Sequence, residues 1–131
     1  MKTRMRICQL LFLFCLSGIA YAAPAATADA FRKSCEPFRS NAKPSLDKAF
    51  CRGYLIGWRS GLEGAQVSDD KNVMQIVTFG SGVSDADMAK SFLTYMDNHP
   101  EEKDAMPKIA LMHAMVSGGL VKLTPAQDQG K

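Results

Sequence analysis

The chain has few of the residues that build catalytic or metal centres. Its 131 residues include only two histidines, one tryptophan and four cysteines. The histidines, His99 and His113, are far apart in the sequence, and no acid–histidine pair accompanies the serine in the GSG segment at residues 80–82. A zinc ligand set, a nucleophile elbow and a phosphate-binding glycine loop are all missing from the pattern. These absences favour a binding function over an enzymatic one, and no cofactor is expected.

Charge and apolar content exclude further classes. With 47% apolar and 22% charged residues, the chain is too apolar for a disordered protein, and its length suits one domain. Four cysteines are too few for a disulfide-dense scaffold. The net charge of +3 equals the three basic residues within residues 1–6. Without that head no basic surplus remains for nucleic acid or an anionic membrane.

The first 22 residues have the pattern of a cleaved secretory signal. A basic head at residues 1–6 precedes an uncharged, largely apolar run at residues 7–20, and Ala20-Tyr21-Ala22 places small residues where signal peptidase reads them. The run is shorter than the ~20 residues of a membrane span, which disfavours an uncleaved anchor. We expect export to the bacterial periplasm, cleavage after Ala22 and a flexible leader over residues 23–28.

Cleavage would leave two cysteines, Cys35 and Cys51. In an oxidising compartment an even pair is normally a disulfide. The sequence therefore predicts a Cys35–Cys51 bridge, which would join a short helix over residues 29–35 to the start of a second helix.

Helical spacing of apolar residues is clearest after Ser45, a favourable N-cap residue. The predicted second helix covers residues 46–65 and carries an apolar stripe: Leu46, Phe50, Cys51, Tyr54, Leu55, Trp58, Leu62 and Ala65. Ser84 predicts the start of a third helix, because Asp85 and Asp87 would complement the dipole of its first turn. The predicted apolar face of this helix is Met88, Phe92, Tyr95 and Met96.

A fourth helix is predicted to begin after Asp104 as its N-cap, to hold Pro107 in its first turn, and to end at the glycines at residues 118–119. Its predicted apolar face is Met106, Ile109, Met112, His113 and Val116. On this pattern His113 is a core residue. His99, at the end of the third helix, is instead expected to be a capping or surface residue.

The four helices predict an all-α domain over residues 29–123, a small orthogonal four-helix bundle with the second helix at its centre. The polar residues 124–131 are expected to form a frayed tail. A domain of this size buries about 65% of the surface of its unfolded chain, so one disulfide would be a useful supplement.

Gly53, Gly57 and Gly61 recur four residues apart on the predicted second helix. A glycine in a helix interior costs about 1 kcal/mol relative to alanine, so three of them need a compensating contact. We expect another helix backbone to pack closely against this glycine stripe. The alternative is a helix that is weak or bent there. A membrane-spanning role is excluded, because Arg52 and Arg59 interrupt the segment.

The longest predicted connection covers residues 68–82 and carries Met74, Ile76, Val77 and Phe79. Connections beyond ~12–15 residues are usually functional or disordered, and this one is too apolar for a disordered linker. The four side chains form either a lid on the helices or a partner-binding loop, and an alternating segment would serve both roles. A lone strand here would have no apparent sheet to join.

One segment of the second helix resembles a known motif. Residues 51–57, CRGYLIG, are similar to the Cys-x-Gly-Tyr-[Ile/Leu]-x-Gly core of the Rap/Tai family. Members of that family are exported proteins that bacteria use as immunity factors against type VI secretion amidases. The resemblance covers roughly residues 35–122, and its later part is carried by Phe92, Tyr95, Met96, the HPE segment at residues 99–101 and Ala114-Met115.

The chain departs from the family in its cysteines. Family members often carry a second cysteine pair, but the matching places hold GSG at residues 80–82 and GLV at residues 119–121. Because both cysteines of that second pair are absent together, as the loss of one disulfide would require, the fold is not put in doubt. The loop around Gly80 and the C-terminal end are expected to be untied and more mobile.

The resemblance implies a periplasmic immunity protein that binds a peptidoglycan amidase toxin, occludes its active site and performs no turnover. It also implies that the chain can form a homodimer. The residues themselves are also compatible with two other functions. One is a small acid-stress chaperone that exposes the apolar residues 73–79, and the other is a similar envelope protein without a toxin partner.

Overall fold

The computed structural model describes residues 27–40, 42–67 and 75–125. The predicted signal, its cleavage site, residues 23–26 of the leader and residues 126–131 of the tail lie outside the described residues. The described part contains four helices, two 3-10 turns and two strands. They are α1 Ala28–Cys35, a turn Glu36–Phe38, α2 Leu46–Val67, β1 Gln75–Phe79, α3 Asp85–Asn98, a turn Pro100–Asp104, α4 Pro107–Ser117 and β2 Val121–Pro125. None of the described helices is long and apolar enough to cross a membrane.

Local capping explains where α1 and α3 begin. The Thr27 hydroxyl accepts a hydrogen bond from the Ala30 amide at 3.2 Å, so α1 starts at Ala28. Ala28 is fully buried, and the leader predicted to run through it therefore ends earlier. Ser84 and Asp87 form a capping box in which each side chain accepts from the backbone amide of the other. This confirms the predicted start of α3.

The disulfide prediction is confirmed. Cys35 and Cys51 are bonded, their Cα atoms lie 5.2 Å apart, and neither residue is exposed. Aromatic rings surround the point where α1 meets α2 and α3. The Phe31 ring centroid lies 4.5 Å from that of Tyr54 and 5.2 Å from that of Phe92. The bridge therefore fastens the short α1 onto the core.

The central helix is α3 and not the predicted second helix. It packs against α1, α2 and α4, and it buries Met88, Ala89, Phe92 and Leu93 almost completely. In contrast, α2 keeps one long side in solvent, and Leu46, predicted as part of its apolar stripe, is 90% exposed. Leu46 stands at the first position of the helix, beyond the reach of the core. The orthogonal crossing of the helices stays a prediction.

The helix α4 buries a different face from the one predicted. Its buried residues are Pro107, Ala110, Leu111, Ala114 and Met115, whereas Met106, Ile109 and Val116 are exposed. Apolar residues occur on both sides of this helix, and the side with two alanines packs closely against α3. The N-cap is Met106 and not Asp104. The His113 side chain is half exposed, so its prediction as a core residue is wrong.

A two-stranded sheet corrects the all-α prediction. The strands β1 and β2 pair antiparallel, with Val77 opposite Leu123 and Phe79 opposite Val121. The predicted extended segment therefore does have a partner, which comes from the C-terminal end of the chain. Thr124 and Pro125 belong to this ladder, so the first two residues of the predicted frayed tail are paired.

Candidate functional site

The predicted partner-binding loop divides between the two faces of the small sheet. Val77 and Phe79 pack against the core together with their cross-strand neighbours. The Phe79 ring lies 6.0 Å from the Trp58 ring, and the Arg59 guanidinium sits 4.7 Å from its centroid. These two side chains are therefore part of the lid. Met74 lies outside the described residues.

Ile76 faces the other way. Successive strand residues point to opposite faces, so Ile76 and Thr78 share the outer face with their cross-strand partners Thr124 and Lys122. We call these four residues the outer sheet face. The alternation that allows one segment to be both lid and binding surface is present, and Ile76 is the large apolar side chain on the outward side.

The glycine stripe lies on an open surface. A Cβ atom built on Gly53, Gly57 or Gly61 meets nothing within 4 Å among the described residues. The prediction that another helix of the domain packs there is therefore wrong for the part of the chain that the structure describes. Beside the stripe, an apolar hollow of about 360 Å³ lies between Gly53, Gly57, Tyr54, Trp58 and Lys108.

The two segments that lack the expected second cysteine pair are joined by the backbone. The Gly80 amide donates to the Leu120 carbonyl at 3.0 Å, directly beyond the Phe79–Val121 pair of the ladder. The expectation that these ends are untied is wrong, because main-chain hydrogen bonds replace the covalent tie.

A polar cluster that the sequence patterns did not assemble surrounds Tyr95. The Tyr95 hydroxyl donates to Glu102 Oε1 at 2.7 Å, and His113 Nδ1 lies 2.9 Å from the same oxygen. Burial, supported by the bond to Glu102, raises the pKa of Tyr95 to about 12, so the phenol stays a donor. Burial also raises the pKa of Glu102, but the bonds to Tyr95 and His113 outweigh it and leave that pKa below its usual value.

His99 lies on the other side of Tyr95. Its amide donates to the Tyr95 carbonyl at 2.9 Å and so caps α3, as predicted. Its ring stacks on the Tyr95 ring at 4.2 Å, and its Nδ1 lies 2.9 Å from Glu101 Oε1. A backbone hydrogen bond and the contact with His99 lower the pKa of Glu101. Glu102 thus joins the turn Pro100–Asp104 to both α3 and α4, while Glu101 bonds the neighbouring His99.

Next to this cluster a groove of about 490 Å³ runs between α3 and α4. We call it the α3–α4 groove. It is lined by Lys90, Ser91, Thr94, Tyr95, Asn98, His99, Ala114, Ser117 and Gly118. The helices meet closely at its floor, where the Ser91 hydroxyl donates to the Ala114 carbonyl at 3.0 Å. A Cβ atom on Gly118 would collide with Ser91 Oγ, so a larger residue there would force the Ser91 hydroxyl to move from the Ala114 carbonyl.

Two further features of the described residues concern metal ligands and the carboxylates at the start of α3. Among residues 27–40, 42–67 and 75–125, no group of three or more His, Cys, Asp and Glu side chains is placed to hold a metal ion. Asp85 bonds Arg52 at 2.6 Å and Asp87 closes the capping box, so both carboxylates have structural partners.

No family model, curated protein or solved structure matches the chain. The similarity to the Rap/Tai family therefore rests on the residues that carry it, above all the CRGYLIG segment at residues 51–57. The structure divides that segment in two. Cys51 and Leu55 are fully buried, while Gly53, Ile56 and Gly57 are exposed.

Proposed function

We propose that this protein is a periplasmic immunity protein that binds a type VI secretion peptidoglycan amidase and inhibits it without turnover. One observation carries the proposal furthest. The resemblance expects a second cysteine pair at residues 80–82 and 119–121, and these segments lie side by side, with the Gly80 amide 3.0 Å from the Leu120 carbonyl. A disulfide requires such proximity, and an accidental similarity in sequence would not need to produce it.

The division of the CRGYLIG segment also supports a binding role. Its inward half has a structural task, because Cys51 holds α1 and Tyr54 packs on Phe31. On its outward half, a Cβ atom at Gly53 or Gly57 would meet nothing within 4 Å among the described residues. The open face beside Gly53 and Gly57 is accordingly available to a partner, and the homodimer that the resemblance implies would use it without disturbing the core.

We place the contact with the amidase on the outer sheet face. An inhibitor that enters an enzyme cleft needs a projecting element, and the helix faces that form the core do not project. Ile76 supplies the apolar anchor of this face, and Thr78 and Lys122 lie opposite each other beside it. The inward-facing Val77 and Phe79 hold the strand in place.

An inhibition assay tests the proposal. The neighbouring genes are searched for a Cys–His amidase, that enzyme is mixed with the chain from Ala23 onward, and peptidoglycan hydrolysis is measured at increasing ratios of the two proteins. We expect hydrolysis to stop at a fixed stoichiometric ratio. Full activity in the presence of excess protein would refute the proposed function.

A pair of variants tests the proposed surface. Ile76→Asp places a charge on the outer sheet face and should weaken inhibition while helical circular dichroism is retained. Ser40→Asp, at an exposed position after the turn Glu36–Phe38, is the control and should inhibit normally. Equal inhibition by both variants would show that the amidase does not contact the outer sheet face.

The chaperone rival requires a change of structure in acid. It would expose the apolar residues 73–79 in acid, but Val77 and Phe79 are packed against the core. Client aggregation at low pH separates the two functions, because only a chaperone would suppress it. An envelope protein without a toxin partner would fail both assays.

A further inference from the structure

The α3–α4 groove has an unusual distribution of hydrogen-bonding groups. Three of its polar side chains already donate hydrogen bonds inside the protein. The Ser91 hydroxyl donates to the Ala114 carbonyl, the Ser117 hydroxyl donates to the His113 carbonyl at 2.8 Å, and the Asn98 amide donates to the Thr94 carbonyl at 2.9 Å.

What these residues leave to the groove is acceptors. A hydroxyl that donates inward keeps its lone pairs, and an amide that donates through nitrogen keeps its carbonyl oxygen. Ser91 Oγ, Ser117 Oγ and Asn98 Oδ1 are therefore free to accept, and the described residues supply no donor to them. The Thr94 hydroxyl also lines this wall. A ligand that brings several hydrogen-bond donors would satisfy these acceptors.

The charges and aromatic rings of the groove indicate which kind of donor group it would bind. Tyr95 and His99 form a stacked pair at one end of the groove, and Glu102 and Glu101 are bonded directly behind them at 2.7 and 2.9 Å. A cation next to aromatic rings is stabilised by their π electrons, and the carboxylates behind add a negative field. Lys90 places a positive charge at the other end of the groove, about 12 Å from Asn98 along the helix axis, and would repel a second cation there.

We propose that the α3–α4 groove, at its Tyr95–His99 end, binds an arginine side chain presented by a protein partner. The guanidinium group is planar, carries five donors and no acceptor, and stacks on aromatic rings, which matches the acceptors and rings of this wall. The inference rests on the proposed function only in taking the partner to be a protein. It assigns a role to a surface separate from the outer sheet face.

A peptide titration tests the groove without any amidase. The probe is acetyl-Gly-Arg-Gly amide, added to the ¹⁵N-labelled protein while backbone amide signals are followed by NMR. We expect shifts concentrated at Ser91, Asn98, His99 and Gly118. The citrulline peptide has nearly the same shape and should bind about tenfold more weakly, because a carbonyl oxygen replaces one NH₂ group and removes the positive charge and two N–H donors.

Three results would overturn the inference. They are equal binding of the arginine and citrulline peptides, shifts confined to residues outside the groove, and no shift up to the solubility limit of the arginine peptide. A lysine peptide should bind more weakly than arginine, because an ammonium group cannot match the planar arrangement of acceptors. Lysine binding as tightly as arginine would reduce the site to a nonspecific cation site and also count against the inference.

Variants separate this inference from the proposed function. Thr94→Lys places a cation at an exposed position of the groove and should abolish peptide binding. Ser60→Lys, exposed on α2, is the control and should bind the peptide normally. If Thr94→Lys binds the peptide as the wild type does, the groove assignment fails even when amidase inhibition is observed. If the peptide binds and no amidase is inhibited, the function fails and the groove stands.

Discussion

Removal of the Cys35–Cys51 bridge should be among the most damaging changes to this domain. The cysteines are 16 positions apart. Closing a loop of that length restricts the unfolded chain enough to stabilise the folded state by about 3 kcal/mol. In a domain near 100 residues each kcal/mol corresponds to about 4–8 °C, so the double variant Cys35→Ala/Cys51→Ala should melt roughly 12–24 °C lower.

The loss should begin at α1. Without the bridge this eight-residue helix is held by the buried Phe31, by the Ala28 amide bonded to the Ala105 carbonyl at 2.8 Å, and by the Arg32–Asp97 pair at 3.0 Å. The ion pair is only partly buried and adds little. Phe31 and the Ala28 bond should keep α1 attached in water but not at raised urea concentration.

Equilibrium urea unfolding followed by circular dichroism measures the effect. The wild-type protein unfolded in the presence of a reductant serves as the control, because it loses the bridge but keeps both sulfur atoms. The free energies of unfolding of the double variant and of the reduced wild type should agree within about 1 kcal/mol. Both should lie about 3 kcal/mol below that of the oxidised wild type. A double variant within about 1 kcal/mol of the oxidised wild type would refute this account of the bridge.

Three further changes probe local features. Gly118→Ala should lower the urea midpoint, because its methyl group would meet Ser91 Oγ. Gly57→Ala, which adds a methyl group in open space, should raise the free energy of unfolding by up to about 1 kcal/mol. If Gly118→Ala were the more stable of the two variants, the packing described for these glycines would be wrong. Ser84→Ala should cost about 1 kcal/mol in urea unfolding through loss of the capping box, and no measurable loss would argue against the cap. Glu102, whose pKa is lowered in the folded protein, should stabilise it above pH 4.5 and lose that effect as the pH falls through the lowered value. Melting curves of Glu102→Gln and wild type should therefore differ near neutral pH and converge in acid, and a constant difference would contradict this.

Local patterns in the sequence were sufficient where the physics is local. The start of α3 depends on Ser84 and on carboxylates within the next turn, so the cap is predicted from four consecutive residues. The disulfide follows equally simply, because a predicted export signal leaves only two cysteines, and these are bonded in the structure.

Long-range pairing was out of reach of those patterns. The segment at residues 75–79 has strand-like composition, but its partner at residues 121–125 spans the end of the predicted domain and the start of the predicted tail, where the sequence patterns predict no strand. A two-stranded ladder depends on which segments the helices bring together, and only the tertiary structure contains that information. The same holds for the α3–α4 groove, whose lining comes from two helices.

The sequence by itself determined where the helices lie, because hydrophobic periodicity and capping depend on residues within a few turns of one another. It also determined the bridge between Cys35 and Cys51, because these are the two cysteines that remain after the predicted signal is removed. Only the tertiary structure decided which sides of the helices are buried. Helix α4 has apolar residues on two sides, and the alanine side wins because Ala110 and Ala114 allow it to approach α3 more closely. That choice exposes His113 to Glu102 and leaves the acceptor-lined groove open beside Tyr95.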